Sequence, residues 1–238
     1  MILRKLASIR FSEVSPEWEG KTAVVIATGP SLTRDQVETV RVLHLDGAVK
    51  CIAVNDAYLW ADFADVQYSA DSRWHEWHTK GIEKAALGLS AADVAQRWAT
   101  FKGQKCSIQS SGANIKDEAV HILRNRDHPF HGNGLSSNPQ ILVTGRNSGF
   151  QALNLAILAG AAKVILLGYD GRADKHTGRT HFFGEHPKAT SPDAFPEFRR
   201  AFNDAEAAIN QVGVKVINCS PNSYIDTFPK MELEDALV

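Results

Sequence analysis

Short apolar, β-branched runs alternate along the chain with stretches in which apolar residues recur at helical spacing, a pattern that predicts alternating strands and helices. Thr22 to Ala27 predicts a strand, and the Thr28-Gly29-Pro30-Ser31-Leu32 that follows predicts a tight turn. From Thr33 to Leu45, Val37, Val40 and Leu43 mark one face of a helix, with Thr33 or Ser31 as cap and Asp35 in the first turn. Val49 to Val54 predicts a second strand, Ala57 to Asp62 a short helix, and Ala64 to Ser69 a third strand ending at Asp71. Gly149 to Leu158 predicts a helix stopped by Gly160, and Lys163 to Leu167 a buried strand that opens into Gly168-Tyr169-Asp170. Phe195 to Val212 predicts an amphipathic helix, Val214 to Asn218 a last strand, and Met231 to Val238 a short terminal helix. The chain has no internal repeat.

Strands alternating with helices predict an α/β fold, a doubly wound, mostly parallel sheet of Rossmann-like type with an inserted lid region. Residues 1–20 are expected to form an N-terminal extension and 21–238 a single nucleotide-binding domain with irregular insertions at about 80–137 and 171–193. In the first insertion Ser, Gly, Asn and His dominate and periodicity is weak between Gly103 and Asn138. The second carries His176, His181 and His186 among glycines and prolines.

Composition narrows the function classes. With 44% hydrophobic and 22% charged residues, disorder, collagen and coiled coil are excluded. A net charge of -1 argues against a dedicated nucleic-acid binder, so any phosphate recognition is local. Cys51, Cys106 and Cys219 are scattered, which fits a reducing compartment and a cytoplasmic protein better than a disulfide framework or a zinc site. Lys163 interrupts the best apolar stretch, Ala156 to Gly168, so no membrane span is expected. The apolar terminal helix and the Trp-rich segment leave room for a homo-oligomer.

In a doubly wound sheet, ligands collect outside the carboxyl ends of the strands. Those positions are polar here: Thr28 to Ser31, Asn55 and Asp56, Ser69 and Asp71, Gly145 to Ser148, Tyr169 and Asp170, and Asn218 to Ser223. Gly29, Pro30 and Ser31 lead into a helix, where free amides and the positive helix end suit a phosphate; the same residues also serve a simple turn and cap. Asn147-Ser148-Gly149 forms a second junction of this kind, with capping as its plain alternative. Together the two favour an anionic ligand. Neither is a Walker loop or a dinucleotide fingerprint.

Asp170 ends a very hydrophobic strand, where a carboxylate is costly unless paired or used. Asp71 is a distant second carboxylate, and no metal ligand set is expected. His181 and His186 lie at a spacing that does not fit a helical zinc pair, so a general base is the better reading, with a solvated loop histidine as its alternative. Trp74, His75, Trp77 and His78 follow Asp71 at helical spacing and suit either an aromatic wall for a base or sugar, or core packing.

The order Gly29-Pro30-Ser31-Leu32, Asn55, Asn147-Ser148-Gly149, Leu167-Gly168-Tyr169-Asp170, His181 to His186 and Ser220-Pro221-Asn222-Ser223 resembles the bacterial lipooligosaccharide sialyltransferases. The same order is similar to a group of phage and prophage proteins, closer in length and in the Asp71-to-Trp74 segment. The resemblance spans residues 22 to 229 thinly. It implies an inverting, metal-independent glycosyltransferase without cofactor, using a nucleotide-activated sugar donor and an unknown acceptor. In that reading the Gly29-Pro30-Ser31 turn holds the donor phosphate, Asn55 and Ser148 contact the nucleotide, and His186 is the catalytic base. Thr28 stands where the family has asparagine, Glu185 adds a residue to the histidine segment, and the family's lid tyrosines have no clear counterpart, leaving Arg172, Arg179 or His181 to substitute. The archaeal pterin pyrophosphokinases resemble the same Gly-Pro-Ser and Gly-x-Asp pattern. They imply a magnesium-dependent enzyme acting with ATP, with Asp71 and Asp170 as metal carboxylates. A non-catalytic phage accessory protein that keeps a nucleotide-binding pocket is the third reading.

Overall fold

A computed structural model describes residues 12–109, 115, 117–126, 134–185, 191 and 193–238. Its strands are β1 (Thr22–Ile26), β2 (Val49–Val54), β3 (Val66–Tyr68), β4 (Gln104–Ile108), β5 (Val120–Arg126), β6 (Ile141–Val143), β7 (Lys163–Leu167) and β8 (Lys215–Asn218). The helices are α1 (Arg34–Leu45), α2 (Ser72–Lys80), α3 (Ala91–Thr100), α4 (Ser148–Leu158), α5 (Ala194–Gln211) and α6 (Leu233–Ala236). The strands form one parallel, 8-stranded sheet in the order β6-β5-β4-β3-β2-β1-β7-β8. The α/β, doubly wound expectation holds.

Burial on both faces explains why the central strands read as continuous apolar runs. In β1, Ala23 and Val25 belong to one core layer with Phe150 and Leu153 of α4 and Phe202 and Ile209 of α5. Val24 and Ile26 belong to the other, with Val37 and Val40 of α1, Trp74 of α2, and Val94 and Trp98 of α3. Alternate side chains of one strand therefore feed opposite layers.

The 80–137 stretch departs from expectation, because it supplies α3, β4 and β5 rather than an irregular lid. Its strands are polar in composition, yet the polar groups find tertiary acceptors: the Ser107 hydroxyl donates to the Ser69 carbonyl at 2.6 Å, and the Lys105 ammonium lies 4.3 Å from the centre of the Trp98 ring. Among the described residues of 171–185 there is no regular helix or strand. The short helix expected at Ala57 to Asp62 is instead a 3₁₀ turn over Asn55–Leu59. The end of the N-terminal extension docks on the domain, with Trp18 in the core and its amide donating to the Ala159 carbonyl at 2.8 Å. Leu233 and Ala236 of α6 are buried in the chain's own core. Among the described residues no helix is long and apolar enough to cross a membrane.

Candidate active site

The chain runs outward from β1 to β6 and then returns to place β7 on the other side of β1, so the sheet's switch point lies between β1 and β7. The two strand ends meet closely. A Cβ on Gly168 (φ +69°) would lie 2.7 Å from the Ala27 carbonyl oxygen, and one on Gly29 would lie 1.9 Å from Asp170 Oδ2 and 2.4 Å from the Gly168 carbonyl oxygen. Glycine at these positions is demanded by strand-end packing.

The Gly29-Pro30-Ser31 turn does not offer the free amides expected of it. The Gly29 N–H donates to the Gly168 carbonyl at 2.9 Å, Pro30 has none, and the Ser31 N–H donates to Asp170 Oδ1 at 3.2 Å. Leu32 donates to the Gly29 carbonyl at 3.2 Å, and Thr33 exchanges a capping box with Gln36, so Thr33 and not Ser31 caps α1. The Ser31 hydroxyl also donates to Asp170, at 2.9 Å to Oδ2. A carboxylate of the chain itself thus occupies the place expected for a ligand anion. Asp170 is buried, and desolvation raises its pKa from 3.8 to about 6, against the lowering effect of the Ser31 donors and the Arg172 charge.

The second junction behaves differently. Asn147 caps α4, its Oδ1 accepting from the Phe150 N–H at 2.7 Å while its Nδ2 donates to the Gly145 carbonyl at 2.9 Å. That arrangement leaves the N–H groups of Ser148 and Gly149 without an acceptor among the described residues, and both residues line a cleft of about 700 Å³. Tyr169 supports this end of the helix from below: its hydroxyl donates to the Gly149 carbonyl at 2.9 Å, and a Cβ on Gly149 would press on its ring at 3.0 Å. Tyr169 is buried and acts by holding α4 in place.

The cleft brings together Gly29, Asn55, Asp71, Asn147, Ser148, Gly149, Tyr169, Asp170 and His181. Pro30 and Ser31 are not among its lining residues, and His186 lies outside the described residues. Asn55 holds a left-handed backbone (φ +49°) at the end of β2, a strained conformation facing the site. His181 Nδ1 and Thr28 Oγ1 are 3.0 Å apart, the ring stacks on Phe183, and burial lowers its pKa, so the imidazole is neutral near pH 7. Asp71 caps α2 and pairs with Arg73 at 3.1 Å. Among the described residues no three His, Cys, Asp or Glu side chains gather as a metal ligand set.

Several expected site residues turn out to be structural. His75 and His78 are buried and do not line the cleft, whereas Trp74, itself largely buried, lines it together with Trp77, so half of the expected aromatic wall is present. Burial lowers the His75 pKa to about 4, and His78 takes a 2.7 Å hydrogen bond with the Tyr58 hydroxyl. Asp56 is fully buried, ion-paired with Lys84 at 2.5 Å and accepting from Trp74 Nε1 at 2.9 Å. Ser220 and Ser223 stitch the end of β8 to the loop after β7: the Tyr169 N–H donates to Ser220 Oγ at 2.7 Å, and Ser223 Oγ donates to the Tyr169 carbonyl at 2.6 Å. Arg146, within the strand-end stretch Gly145 to Ser148, lines the cleft as expected, whereas sequence reasoning missed Asn125, Phe195 and Phe198, which also line it. The two phenylalanines read as an ordinary apolar helix face, and only the docking of α5 turns them toward the site.

The fold is similar to that of MAf glycosyltransferase from Magnetospirillum magneticum AMB-1, with a TM-score of 0.57 and 12% identity over 93% of this chain and 35% of that one. This chain therefore spans about 35% of the length of that neighbour. The sialyltransferase CstII from Campylobacter jejuni, in complex with the substrate analogue CMP-3FNeuAc, aligns with a TM-score of 0.46 and 12% identity over 89% of this chain and 85% of that one. No family model and no curated protein matches the chain. The likeness to the MAf enzyme is one of fold: a Rossmann-like parallel sheet flanked by helices on both faces.

Proposed function

We propose that the chain is a glycosyltransferase that moves a sugar from a nucleotide-activated donor to an acceptor hydroxyl, with inversion and without a bound metal. One observation carries this reading: the free amides at the start of α4, the strained Asn55 and the poised Asp170 face one cleft at the switch point of the sheet. The fold it shares with the MAf glycosyltransferase supports the same class.

In this reading the donor phosphate rests on the Ser148 and Gly149 amides, and the Ser148 hydroxyl and Asn55 contact the nucleotide. The acceptor oxygen attacks the anomeric carbon as the bond from that carbon to the phosphate oxygen breaks. The leaving phosphate keeps the electron pair, and the helix amides stabilise its growing charge. The acceptor's proton passes to a side chain of the cleft. Asp170 has the proton affinity for that step, since a base near its operating pH is the efficient one. His181 is a neutral second acceptor, and His186 is the base that the family resemblance implies.

Calorimetric titration with CMP, UDP, GDP and ATP, each with and without magnesium, tests the reading. Metal-independent binding of CMP, UDP or GDP is expected. Binding of ATP alone, and only with magnesium, would transfer the site to pyrophosphate chemistry. Absence of binding by every nucleotide would leave an accessory protein.

A further inference from the structure

We propose that the rim of the cleft beside Gly171 carries an anion subsite, built by Arg172, Lys175 and Arg199 around Tyr224, that holds a carboxylate or phosphate group of the acceptor. The proposal rests on reading the cleft as a transferase site and adds the chemical class of the second substrate.

Three cations gather over one ring. The Arg172 and Arg199 guanidinium carbons lie 4.8 and 5.9 Å from the centre of the Tyr224 ring, and the Lys175 ammonium lies 5.6 Å from it. Tyr224 is 44% exposed, so this cluster faces solvent. Like charges at this spacing repel, and the ring's negative face offsets only part of that cost. None of the three cations forms an ion pair among the described residues. The acids nearest in sequence are spent elsewhere: Asp170 on Ser31, Asp174 on Thr177 and the His176 amide, Glu197 on Arg146, and Asp226 on Lys230.

The guanidinium groups are nevertheless fixed. Arg172 Nε donates to the Asn222 carbonyl at 3.0 Å, and Arg199 Nη1 donates to the Gly171 carbonyl at 2.8 Å. Arg172 Nη1 is buried and has no hydrogen-bond acceptor. A buried charged donor left unsatisfied is costly, and an oxyanion arriving from the cleft removes that cost with a charge-assisted bond.

Position separates this subsite from the donor phosphate. Arg172 lines the cleft, whereas Lys175, Arg199 and Tyr224 lie beyond its lining, so the cluster runs from inside the cleft to its outer edge. The α4 amides already provide for charge inside. An anion at the rim belongs to the part of the bound substrates that projects outward, which is the acceptor.

Titration of the ¹⁵N-labelled protein with inorganic phosphate at constant ionic strength, balanced with chloride, tests the subsite through the backbone amide signals of Gly171 and Tyr224, present in every variant, and in the wild type also through the Nε–H signals of Arg172 and Arg199. Saturable shifts with phosphate are expected, with affinity at least about tenfold weaker in the Arg172→Gln/Lys175→Gln/Arg199→Gln variant. The single variant Lys175→Gln, at an exposed position, is expected to weaken phosphate in the same direction and guards against misfolding of the triple variant. Equal responses to phosphate and chloride, or unchanged phosphate affinity in both variants, would overturn the subsite. Titration of the same variants with CMP and UDP settles the source: unchanged nucleotide affinity supports the acceptor, whereas a tenfold loss assigns the cations to the donor and overturns the proposal. Phosphate binding at the cations in a wild-type protein that binds no nucleotide would sink the glycosyltransferase reading and leave the anion site standing.

Discussion

Ser31 gives both of its donors to Asp170, its amide to Oδ1 at 3.2 Å and its hydroxyl to Oδ2 at 2.9 Å. The carboxylate at the end of β7 thereby consumes the Ser31 amide of the β1 turn, just as the Gly168 carbonyl consumes that of Gly29. Those two hydrogen bonds lower the Asp170 pKa, but burial outweighs them and sets it at about 6. A carboxylate that ionises just below neutral pH, in a cleft, suits the proton acceptor that the proposed transfer requires.

The replacement Asp170→Asn is expected to separate stability from turnover. In the native state the carboxyl holds its proton up to about pH 6, against 3.8 for its ordinary value. The folded form therefore binds the proton more tightly, and wild-type stability falls as pH rises through that window and levels off above it. Asparagine does not titrate, so the stability of the variant relative to wild type grows between pH 4 and 6, by roughly 2 to 3 kcal/mol. Urea unfolding at closely spaced pH values checks this, and a pH-independent difference would contradict the raised carboxyl. Turnover in the proposed transfer should fall by about 10²- to 10⁴-fold, as for the loss of a general base.

Gly29→Ala is expected to destabilise the fold by more than 3 kcal/mol, because the added methyl meets the Gly168 carbonyl at 2.4 Å as well as Asp170 Oδ2 at 1.9 Å. The backbone of β7 cannot rotate out of the way. Gly178→Ala is the comparison: its φ is also positive, at +70°, but nothing lies within 4 Å of the new methyl. The cost there should be about 1 kcal/mol, which thermal unfolding of the two variants will resolve.

Which parts of this were legible in the sequence follows from where the determining forces act. β1, β2 and β7 were legible because burial on both faces selects unbroken β-branched runs, a local signal. β4 was not, since its buried Ser107 is accommodated by the Ser69 carbonyl, 38 positions away, a contact that no window of sequence contains. The site shows the same division. Topology puts Thr28, Asn55, Ser148 and Asp170 at strand ends, and the order of elements predicts that. How the Ser31 amide is spent depends on a residue 139 positions away, so the turn read as an anion cradle when the chain had already filled it. The stacking of Arg172 and Arg199 on Tyr224 joins separate segments of the chain and leaves no trace in spacing or periodicity.

Lys84→Met tests whether the layer beneath the site depends on a buried charge pair. Lys84 is 4% exposed and Asp56 0%, with the ammonium 2.5 Å from Asp56 Oδ1 and 4.3 Å from the centre of the Phe183 ring. Methionine matches the stem of lysine but removes the ammonium that balances the buried carboxylate, so a loss of about 3 kcal/mol or more is expected. Adding Asp56→Asn should recover part of it, because the uncompensated charge is then gone. The exposed pair of Lys80 and Glu76 serves as control, where Lys80→Met changes stability little. Urea unfolding of the four proteins measures each value, and equal effects at positions 84 and 80 would refute the buried-pair argument.

Ser148→Pro removes one of the two amides and the hydroxyl of the proposed phosphate site, keeping the Gly149 amide, while sparing the helix. Ser148 is the first residue of α4, where proline's fixed φ is already helical and its missing N–H breaks no intrahelical bond. Asn147 before it is extended, at φ -146° and ψ 144°, a conformation that a following proline favours. Its cap to the Phe150 amide needs neither the Ser148 amide nor its hydroxyl. The variant is therefore expected to unfold within about 1 kcal/mol of wild type, yet to bind the preferred nucleotide about tenfold or more weakly, since a charge-assisted amide bond and a hydroxyl contact to phosphate are lost together. Ser148→Ala, which keeps the amide, should fall between the two. Calorimetric titration of the three proteins orders them, and undiminished binding by the proline variant would show that the phosphate lies elsewhere in the cleft.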